Sequence, residues 1–364
     1  MQHSAMAFDP DGLSEMIFEA VQSVDETTAF PAAAFAVLEQ AGYCNRPPVG
    51  VGKMPELLRL LIAVGRGDLS TGRVFEGHAN ACWLIENFGT AEQKAHARAL
   101  LDDGQLFGVW NTDAPGSPLT LNGGTLNGKK NFASGVDGLS HAIVTITGET
   151  GRQMLLVELA GLPVDRSWWR PVGMKASGSH IVDYTGTAVG PDETLGQPDD
   201  YIGQPWFSGG AMRFLAVQLG GAQAIFDIAR NHLVKTNRAD NPYQSHRLAR
   251  MGAAIETGYL WIDRLGQAWS DAERSPTEAT KAYLMASVNG GRVAIEQLAM
   301  SVLDEAEQAI GAAGMIAPHP FERKMRDLRT YLRQPNPDGA AAQFGSSIAQ
   351  GSWTPGFRSV GTQA

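Results

Sequence analysis

The chain has little cysteine and no excess of positive charge. Its 364 residues include two cysteines, Cys44 and Cys82, too few for a disulfide framework, so we expect both thiols to be buried in a reducing compartment. The formal net charge is −9, from 29 Lys and Arg against 38 Asp and Glu. Nucleic acids and anionic membranes require a basic footprint, so general binding to either is excluded.

Long apolar runs and several cofactor signatures are also missing. No apolar run approaches about 18 residues, the length that predicts a transmembrane helix, and no secretory signal is visible. No G-x-G-x-x-G fingerprint follows a predicted strand, which argues against a Rossmann nicotinamide site. The eight histidines lack metal-ligand spacing, so we expect no metal site. The sequence predicts a soluble, cytoplasmic protein.

Three successive types of composition predict three domains. Residues 1–105 and 204–364 show the three- and four-residue apolar periodicity of helices. Residues 106–203 are rich in Gly, Thr and Val, with the short alternations of strands. The order along the chain is therefore helical, β, helical.

Helix starts and helix contacts are also predicted. Thr90 with Gln93 forms a capping-box pattern, and Ser275 precedes Pro276 and Glu278 at another predicted start. A mid-helix glycine costs about 1 kcal/mol relative to alanine. We therefore expect close helix packing at the glycines inside the predicted C-terminal helices, which are Gly220, Gly221, Gly252, Gly290 and Gly291.

The segment from Phe107 to Gly135 (FGVWNTDAPGSPLTLNGGTLNGKKNFASG) is the most informative part of the sequence. It has an apolar run, a tight turn, two hairpin-type glycine turns and a final strand pattern. Phe132 and Ser134 lie two residues apart on that strand, so we expect them to face the same side. One is then able to stack on a flat ring while the other hydrogen-bonds its edge.

This segment resembles the acyl-CoA dehydrogenase superfamily of flavoproteins. Its members have a turn like T-E-P-x-x-G-S and a strand like G-x-K-x-(aromatic)-x-(Ser/Thr); here these read NTDAPGS at 111–117 and GKKNFAS at 128–134. The resemblance covers nearly the whole chain. It implies an α+β fold, mainly α, with an N-terminal helical domain, a small β-barrel-like middle domain and a C-terminal four-helix bundle, with flavin between the last two.

The resemblance also assigns cofactor contacts to residues of this segment. Trp110 and Asn111 are expected to line the pyrimidine edge of the flavin, with Ser117 of the turn as a further contact. Phe132 is expected to pack on the isoalloxazine, and Ser134 to donate a hydrogen bond to flavin N5.

Family members hold the FAD pyrophosphate with an R-x-x-F-G motif from a neighbouring subunit, and they have a second cofactor element, Q-x-x-G-G-x-G. This chain keeps the arginine, Arg238, without Phe-Gly, and part of the second motif from Gln308 to Gly311 and beyond (QAIGAAG). The resemblance therefore implies cofactor contacts from Arg238, Gln308 and Gly311 in a homodimer or homotetramer. FAD is the expected cofactor, with FMN as the alternative.

The catalytic carboxylate of the family is missing from both of its known positions. Removal of the weakly acidic α proton of a thioester requires such a base. Met212 occupies one position and Pro335 the other. Asp338 and His319 are the replacement candidates, although Asp338-Gly-Ala-Ala-Ala also predicts a helix N-cap and His319 a loop or capping residue.

The leading functional hypothesis is an FAD-dependent oxidoreductase that acts on a CH–CH bond of a small acyl substrate such as a coenzyme A thioester. Two alternatives stay open, a monooxygenase that takes reduced flavin from a partner and a non-catalytic scaffold subunit. A strand of the form K-x-F-x-S-G, as found here, is closer to the monooxygenases of this fold. The expected protein partner is an electron acceptor or a flavin reductase.

Overall fold

The computed structural model describes residues 9–22, 29–333 and 335–356. The outer ends of the first and third predicted regions, 1–8 and 357–364, lie outside these ranges. Five described helices precede the first strand: α1 Pro10–Gln22, α2 Ala32–Gln40, α3 Met54–Gly67, α4 Leu69–Phe88 and α5 Ala91–Asp102. Every helix among the described residues is too short or too polar to cross a lipid bilayer.

Nine short strands follow: β1 Phe107–Trp110, β2 Thr120–Asn122, β3 Thr125–Asn127, β4 Lys129–Ala133, β5 His141–Gly148, β6 Gly151–Glu158, β7 Val164–Asp165, β8 His180–Asp183 and β9 Thr194–Leu195. They form a four-stranded sheet in the order β1-β5-β6-β9, a hairpin β2-β3 and a three-stranded sheet β4-β8-β7. Only β1 and β5 pair in parallel among these ladders. Five consecutive residues of β5 and four of β6 are buried, so both faces of these strands are covered, whereas their predicted alternation implies one buried face.

The rest of the described chain is helical: α6 Trp206–Gly209, α7 Met212–Lys235, α8 Pro242–Arg274, α9 Glu278–Ile310, α10 Pro320–Tyr331 and α11 Pro337–Ala349. The three long helices pack against one another, with α10 on α7 and α11 on α9. Helix α7 also packs along α3, which joins this bundle to the N-terminal helices. The predicted fold class is confirmed.

Glycines mark the places where helix backbones or bulky rings approach one another. A Cβ atom on Gly220 would lie 2.1 Å from the carbonyl oxygen of Ile62 on α3, so only glycine fits at this crossing. Gly221, Gly290 and Gly291 are packed against leucine and phenylalanine side chains at 2.5–2.9 Å by the same measure. The prediction is wrong for Gly252, because a Cβ there has nothing within 4 Å.

Helix starts agree with the sequence in one case and differ in two. The capping box of Thr90 and Gln93 is present at α5. Helix α9 is capped by Thr277, whose side chain accepts from the Thr280 N–H, rather than by Ser275. Asn336 caps α11 in place of Asp338, because its side chain accepts the Gly339 N–H and leaves Asp338 in the first turn.

His78 connects α4 to the first strand. Its Nδ1 accepts the backbone N–H of Phe107 at 3.0 Å, and its Nε2 lies 2.8 Å from the carbonyl oxygen of Cys44. Both bonds form together when the ring is neutral with its proton on Nε2. Burial lowers the pKa of His78 to about 4, so the ring stays neutral at ordinary pH.

Helix α10 joins the strand region to the N-terminal helices through buried charges. Asp327 accepts the backbone N–H of Met174 at 2.5 Å, and Lys324 donates to the carbonyl of Gly67. Arg323 lies 3.0 Å from the Asp68 carboxylate and 3.6 Å from that of Asp327. Burial, and then the neighbouring Asp68, raise the pKa of Asp327 to about 6.

Candidate functional site

The end of β4 bulges, and this separates the two side chains that the sequence places on one face. Pairing of β4 with β8 shifts register between Lys130 and Ala133, and Phe132 adopts φ +54°. The Asn131 side chain accepts the Phe132 N–H at 2.6 Å, and the Ser134 N–H donates back to the Phe132 carbonyl at 2.8 Å. Phe132 is consequently 42% exposed and Ser134 6% exposed, so the expectation of a shared face is wrong.

Three serine hydroxyls form an ordered chain beneath this bulge. Ser177 lies 2.8 Å from the Met174 carbonyl oxygen and 2.9 Å from the Ser179 hydroxyl, and Ser179 lies 2.7 Å from Ser134. A carbonyl only accepts, so Ser177 donates to it, Ser179 donates to Ser177, and Ser134 donates to Ser179. This order satisfies the three shortest contacts; the alternative, in which Ser134 donates to the Phe132 carbonyl at 3.4 Å, leaves one of the two serine–serine contacts without a hydrogen.

The order leaves the Ser134 hydroxyl without a hydrogen for any further partner. The Ser134 hydroxyl hydrogen is then directed at Ser179, so none remains for the 3.4 Å contact between Ser134 and the Phe132 carbonyl oxygen. Toward a ligand, Ser134 presents lone pairs and acts as a hydrogen-bond acceptor.

The turn before β4 is held by a buried lysine. Lys130 is 1% exposed and donates to Asp113 at 2.6 Å and to the Asn111 carbonyl at 3.1 Å. Burial lowers the pKa of Lys130, and Asp113 partly offsets this. Half-buried Ser117 closes the turn with its N–H on the Ala114 carbonyl.

Two further predicted contacts lie beside the bulge with their polar atoms engaged. The Trp110 ring is buried, and its Nε1 donates to the Ser134 carbonyl at 3.2 Å. The side-chain oxygen of Asn111 accepts from Thr145 at 2.6 Å and from Arg152 at 3.3 Å. The structure thus brings together all five residues predicted from this segment.

A buried arginine lies on the helical side. Arg213, in the first turn of α7, is 6% exposed; its Nε donates to Glu76 at 3.1 Å and its Nη2 to Asn80 at 2.6 Å. Arg73 donates to the other oxygen of Glu76 at 3.1 Å. Two guanidinium groups therefore share one carboxylate, which leaves this group of side chains with an excess of positive charge.

The strand side and the helical side meet. A Cβ on Gly135, which has φ +79°, would lie 2.6 Å from Val74 Cγ1, so the end of β4 packs directly on α4. Tyr201 lies within electrostatic range of both Arg213 and Arg152, and burial raises its pKa. We call the region bounded by Asn111, Phe132, Ser134, Glu76 and Arg213 the central site.

The residues expected to contact the cofactor tail lie elsewhere. Arg238 follows the C-terminal end of α7, while Gln308 and Gly311 lie at the C-terminal end of α9. Gln308 accepts from Arg247 of α8 at 3.1 Å. Since Arg213 is at the other end of α7, a helix of 24 residues places Arg238 about 35 Å from Arg213.

Neither replacement base lies at the central site. Asp338 lines a cavity with residues of α9 and α11, and His319 lines a cavity with residues of α1, α3 and α7; no strand residue lines either cavity. His319 caps α10, with Nδ1 accepting the Phe321 N–H at 3.2 Å and Nε2 lying 3.2 Å from His232 Nδ1. Met212 is fully buried.

Comparison with known proteins shows which family the chain resembles. The sequence profile of "Acyl-CoA dehydrogenase, C-terminal domain" matches residues 204–332. The short-chain specific acyl-CoA dehydrogenase of Bos taurus mitochondria is 24% identical over 351 residues, covering 88% of this chain and 82% of the relative. These matches support membership of the acyl-CoA dehydrogenase superfamily.

Members with another activity also match. The dibenzothiophene monooxygenase of Mycolicibacterium goodii is 23% identical over 345 residues, covering 84% of this chain and 83% of the relative. The structure of TdsC from Paenibacillus sp. A11-2 with FMN and indole superimposes with a TM-score of 0.82 at 18% identity, covering 94% of this chain and 96% of the other. That superposition shows the common fold.

The residues at the central site fit a flavin. Phe132 presents a half-exposed ring, crossed edge-on by Trp168 at 5.0 Å, and Ser134 presents an acceptor below it. The Tyr331 hydroxyl is fully buried within electrostatic range of Arg73 and Glu76 and has no hydrogen-bond partner among the described residues, which indicates a missing bound group or water. The comparisons support a flavin-dependent enzyme on this fold.

Sequence reasoning missed the helical half of the central site. Neither Glu76 nor Arg213 is among the site residues predicted from the sequence. The available signal was Arg213, the only charged residue between Met212 and Ile225 in an apolar part of α7, because such a charge is buried only when it is paired. Ser179 carries no comparable signal in the sequence.

Proposed function

We propose that this protein is a flavin-dependent monooxygenase that receives reduced flavin from a separate reductase. The leading hypothesis from the sequence, dehydrogenation of an acyl thioester, becomes the second candidate. A bound reduced flavin supplies the two electrons with which O₂ is split between the substrate and water. No catalytic carboxylate is needed for this chemistry.

The hydrogen-bond order of the serine chain carries the proposal. In oxidised flavin, N5 has no hydrogen and only accepts; in reduced flavin, N5 carries a hydrogen and donates. A Ser134 hydroxyl that is already committed to Ser179 complements the reduced form. A dehydrogenase needs oxidised flavin at the start of its reaction and would favour a hydroxyl that donates.

Two further observations support the same function. Both family positions for the α-proton base hold side chains without a titratable group, Met212 and Pro335, and the nearest alternatives face other cavities. Dibenzothiophene monooxygenases from several bacteria match this chain over 84% of its length, which supports oxygen transfer as the activity.

We propose FMN as the flavin. The Phe-Gly that accompanies Arg238 in the FAD-binding motif of the family is missing. FMN needs no adenosine contact, and TdsC, a structural neighbour, was crystallised with FMN. FAD held across a subunit interface is the alternative.

The residues then have distinct roles. Phe132 packs on the flavin ring, and Ser134 accepts from its N5 edge. Trp110 fixes the Ser134 carbonyl, while Lys130 and Asp113 hold the turn beside the pyrimidine edge. The apolar rings near α4 and α6 exclude water from the reacting region, which protects reduced flavin from unproductive oxidation.

The test is the affinity of the protein for the two redox states of FMN, measured anaerobically. We expect reduced FMN to bind about fivefold to tenfold more tightly than oxidised FMN, as one net hydrogen bond provides about 1 kcal/mol. Ser179→Ala frees the Ser134 hydrogen and should reduce this preference to about one. Ser167→Ala, an exposed serine of the same region, is the matched control and should leave the preference unchanged.

Turnover separates the two candidate activities. A monooxygenase should consume O₂ and modify its substrate when a flavin reductase and a nicotinamide donor are supplied. Bleaching of oxidised bound flavin by a panel of acyl-CoA thioesters without O₂ would instead establish the dehydrogenase. Tighter binding of oxidised FMN by the unmodified protein would refute the proposed role of the serine chain.

A further inference from the structure

A small cavity beside the central site has an aromatic wall. It has a volume of about 70 Å³ and is lined by Asn80, Trp83, Leu84, Phe88, Asp200, Tyr201, Trp206, Phe207 and Arg213. Tyr201 and Phe207 cross at 5.3 Å, and Trp83 meets Phe88 edge-on at 6.1 Å. Flat faces and ring edges at these distances favour the binding of another aromatic ring.

One side of this cavity is polar. Arg213 donates from Nε to Glu76 and from Nη2 to Asn80, but no described residue accepts a hydrogen bond from its Nη1. The arginine is 6% exposed as a whole, but Nη1 is not among its fully buried atoms, and the residue lines the cavity. A cationic N–H donor that is open to a cavity is able to pair with an oxyanion of a ligand.

The surroundings fix the arginine and favour a negative charge next to it. A Cβ on Gly210 would lie 2.8 Å from Nη2, so glycine is required for the guanidinium to occupy this place. Glu76 is shared with Arg73 and neutralises only one of the two cations. Asp200, the one acidic residue in the cavity wall, is engaged with the backbone, since its Oδ2 accepts the Gln197 N–H at 2.7 Å.

We propose that this cavity binds the substrate, and that the substrate is a small aromatic compound bearing one oxyanion, a carboxylate or a phenolate, that pairs with Arg213. This rests on the proposed function, in which the bound compound is the acceptor of oxygen. The ring lies among Trp83, Tyr201, Trp206 and Phe207, and the oxyanion accepts from Nη1.

The ring enters by displacing a side chain of the wall. A cavity of about 150 Å³ accommodates benzene, so 70 Å³ is too small without movement. Phe207, which lies on the four-residue helix α6 and is 42% exposed, is the member of the wall that is able to turn outward.

The experiment is calorimetric titration of the flavin-free protein with benzoate, benzamide and acetate, and then with 4-nitrophenol above its pKa. Benzoate has the ring and the charge, benzamide only the ring and acetate only the charge. We expect benzoate to bind at least about tenfold more tightly than either, the contribution of one charge-assisted hydrogen bond. The 4-nitrophenolate titration distinguishes a preference for phenolates from one for carboxylates.

Variants of Arg213 test whether this residue causes the preference for benzoate over benzamide. Arg213→Gln should lower the affinity for benzoate to that for benzamide. Arg213→Lys keeps the charge beside Glu76 and should retain part of the difference in affinity between the two ligands. Because it keeps this charge, it also controls for loss of folding. Arg230→Gln, on the exposed surface of the same helix, should change neither ligand. Equal binding of benzoate and benzamide, equal binding of benzoate and acetate, or no binding of any ligand would each overturn the proposal.

The result of the benzoate titration is independent of the comparison between reduced and oxidised FMN. Benzoate binding with no preference for reduced FMN would leave the cavity assignment in place and remove the proposed function. A preference for reduced FMN with no discrimination among the ligands would do the reverse.

Discussion

At the scale of single residues, His78 connects the N-terminal helices to the first strand through two buried hydrogen bonds. We predict that His78→Ala lowers the free energy of unfolding by about 3 kcal/mol at pH 7, because the Phe107 N–H and the Cys44 carbonyl lose their buried partner. Urea unfolding at pH 7, followed by tryptophan fluorescence, measures the change.

The pH dependence of the same variant is a second readout. In the unfolded chain the histidine titrates near pH 6.5, whereas burial lowers the pKa of His78 to about 4 in the folded protein. The unfolded state therefore binds the proton first as pH falls, and the folded protein loses about 3 kcal/mol between pH 6.5 and 4. The alanine variant should lack this part of the acid sensitivity; an unchanged slope would contradict the assignment.

The two residues that identified the β4 strand show what a local pattern predicts. Phe132 and Ser134 were found because aromatic and hydroxyl residues at this spacing follow a glycine-rich turn. Their relative orientation was wrong, because the bulge depends on the pairing with β8 and on the side chain of Asn131, which period-two alternation does not contain.

At the scale of helices and strands, the glycines provide a matched pair of substitutions. We predict that Gly220→Ala destabilises the protein by more than about 2 kcal/mol, since its Cβ would collide with the Ile62 carbonyl and separate α7 from α3. Gly252→Ala should stabilise it by up to about 1 kcal/mol, because that helical position is open and alanine has the higher helix propensity.

Thermal unfolding of both variants measures the difference. Equal effects of the two substitutions would mean that backbone propensity, and not the α3–α7 crossing, determines the cost of Gly220→Ala.

Helix existence was predictable, but helix ends were less so. The apolar stripes of α7, α8 and α9 are long enough to identify these helices without tertiary information. Ser275 and Thr277 are both competent caps, as are Asn336 and Asp338, and the side chain that reaches the first free N–H groups depends on how the preceding loop enters the helix.

At the scale of the whole molecule, the charges on α10 hold three regions of the chain together. We predict that Lys324→Met destabilises the protein by about 3–5 kcal/mol, because Asp68 and Asp327 then remain buried with one cation fewer. Adding Asp327→Asn should recover part of this loss, as the amide oxygen still accepts the Met174 N–H without carrying a charge.

Chemical unfolding of the single and double variants at two pH values tests the coupling. Because the pKa of Asp327 is raised to about 6, the carboxyl is largely ionised at pH 8 and protonated at pH 5. The recovery should therefore be larger at pH 8. Simple addition of the two separate effects would show that Lys324 and Asp327 do not interact.

The order of hydrogen bonds from Ser134 to the Met174 carbonyl has a consequence for how the cell controls the activity. If Ser134 binds reduced flavin, the flavin that is oxidised in each cycle loses its hydrogen bond at N5 and dissociates. The flavin is then a cosubstrate rather than a permanently bound prosthetic group. A purified preparation would then be colourless and still competent. The rate of the reaction would depend on how fast the reductase delivers new flavin, and a cell would control this enzyme by limiting its supply.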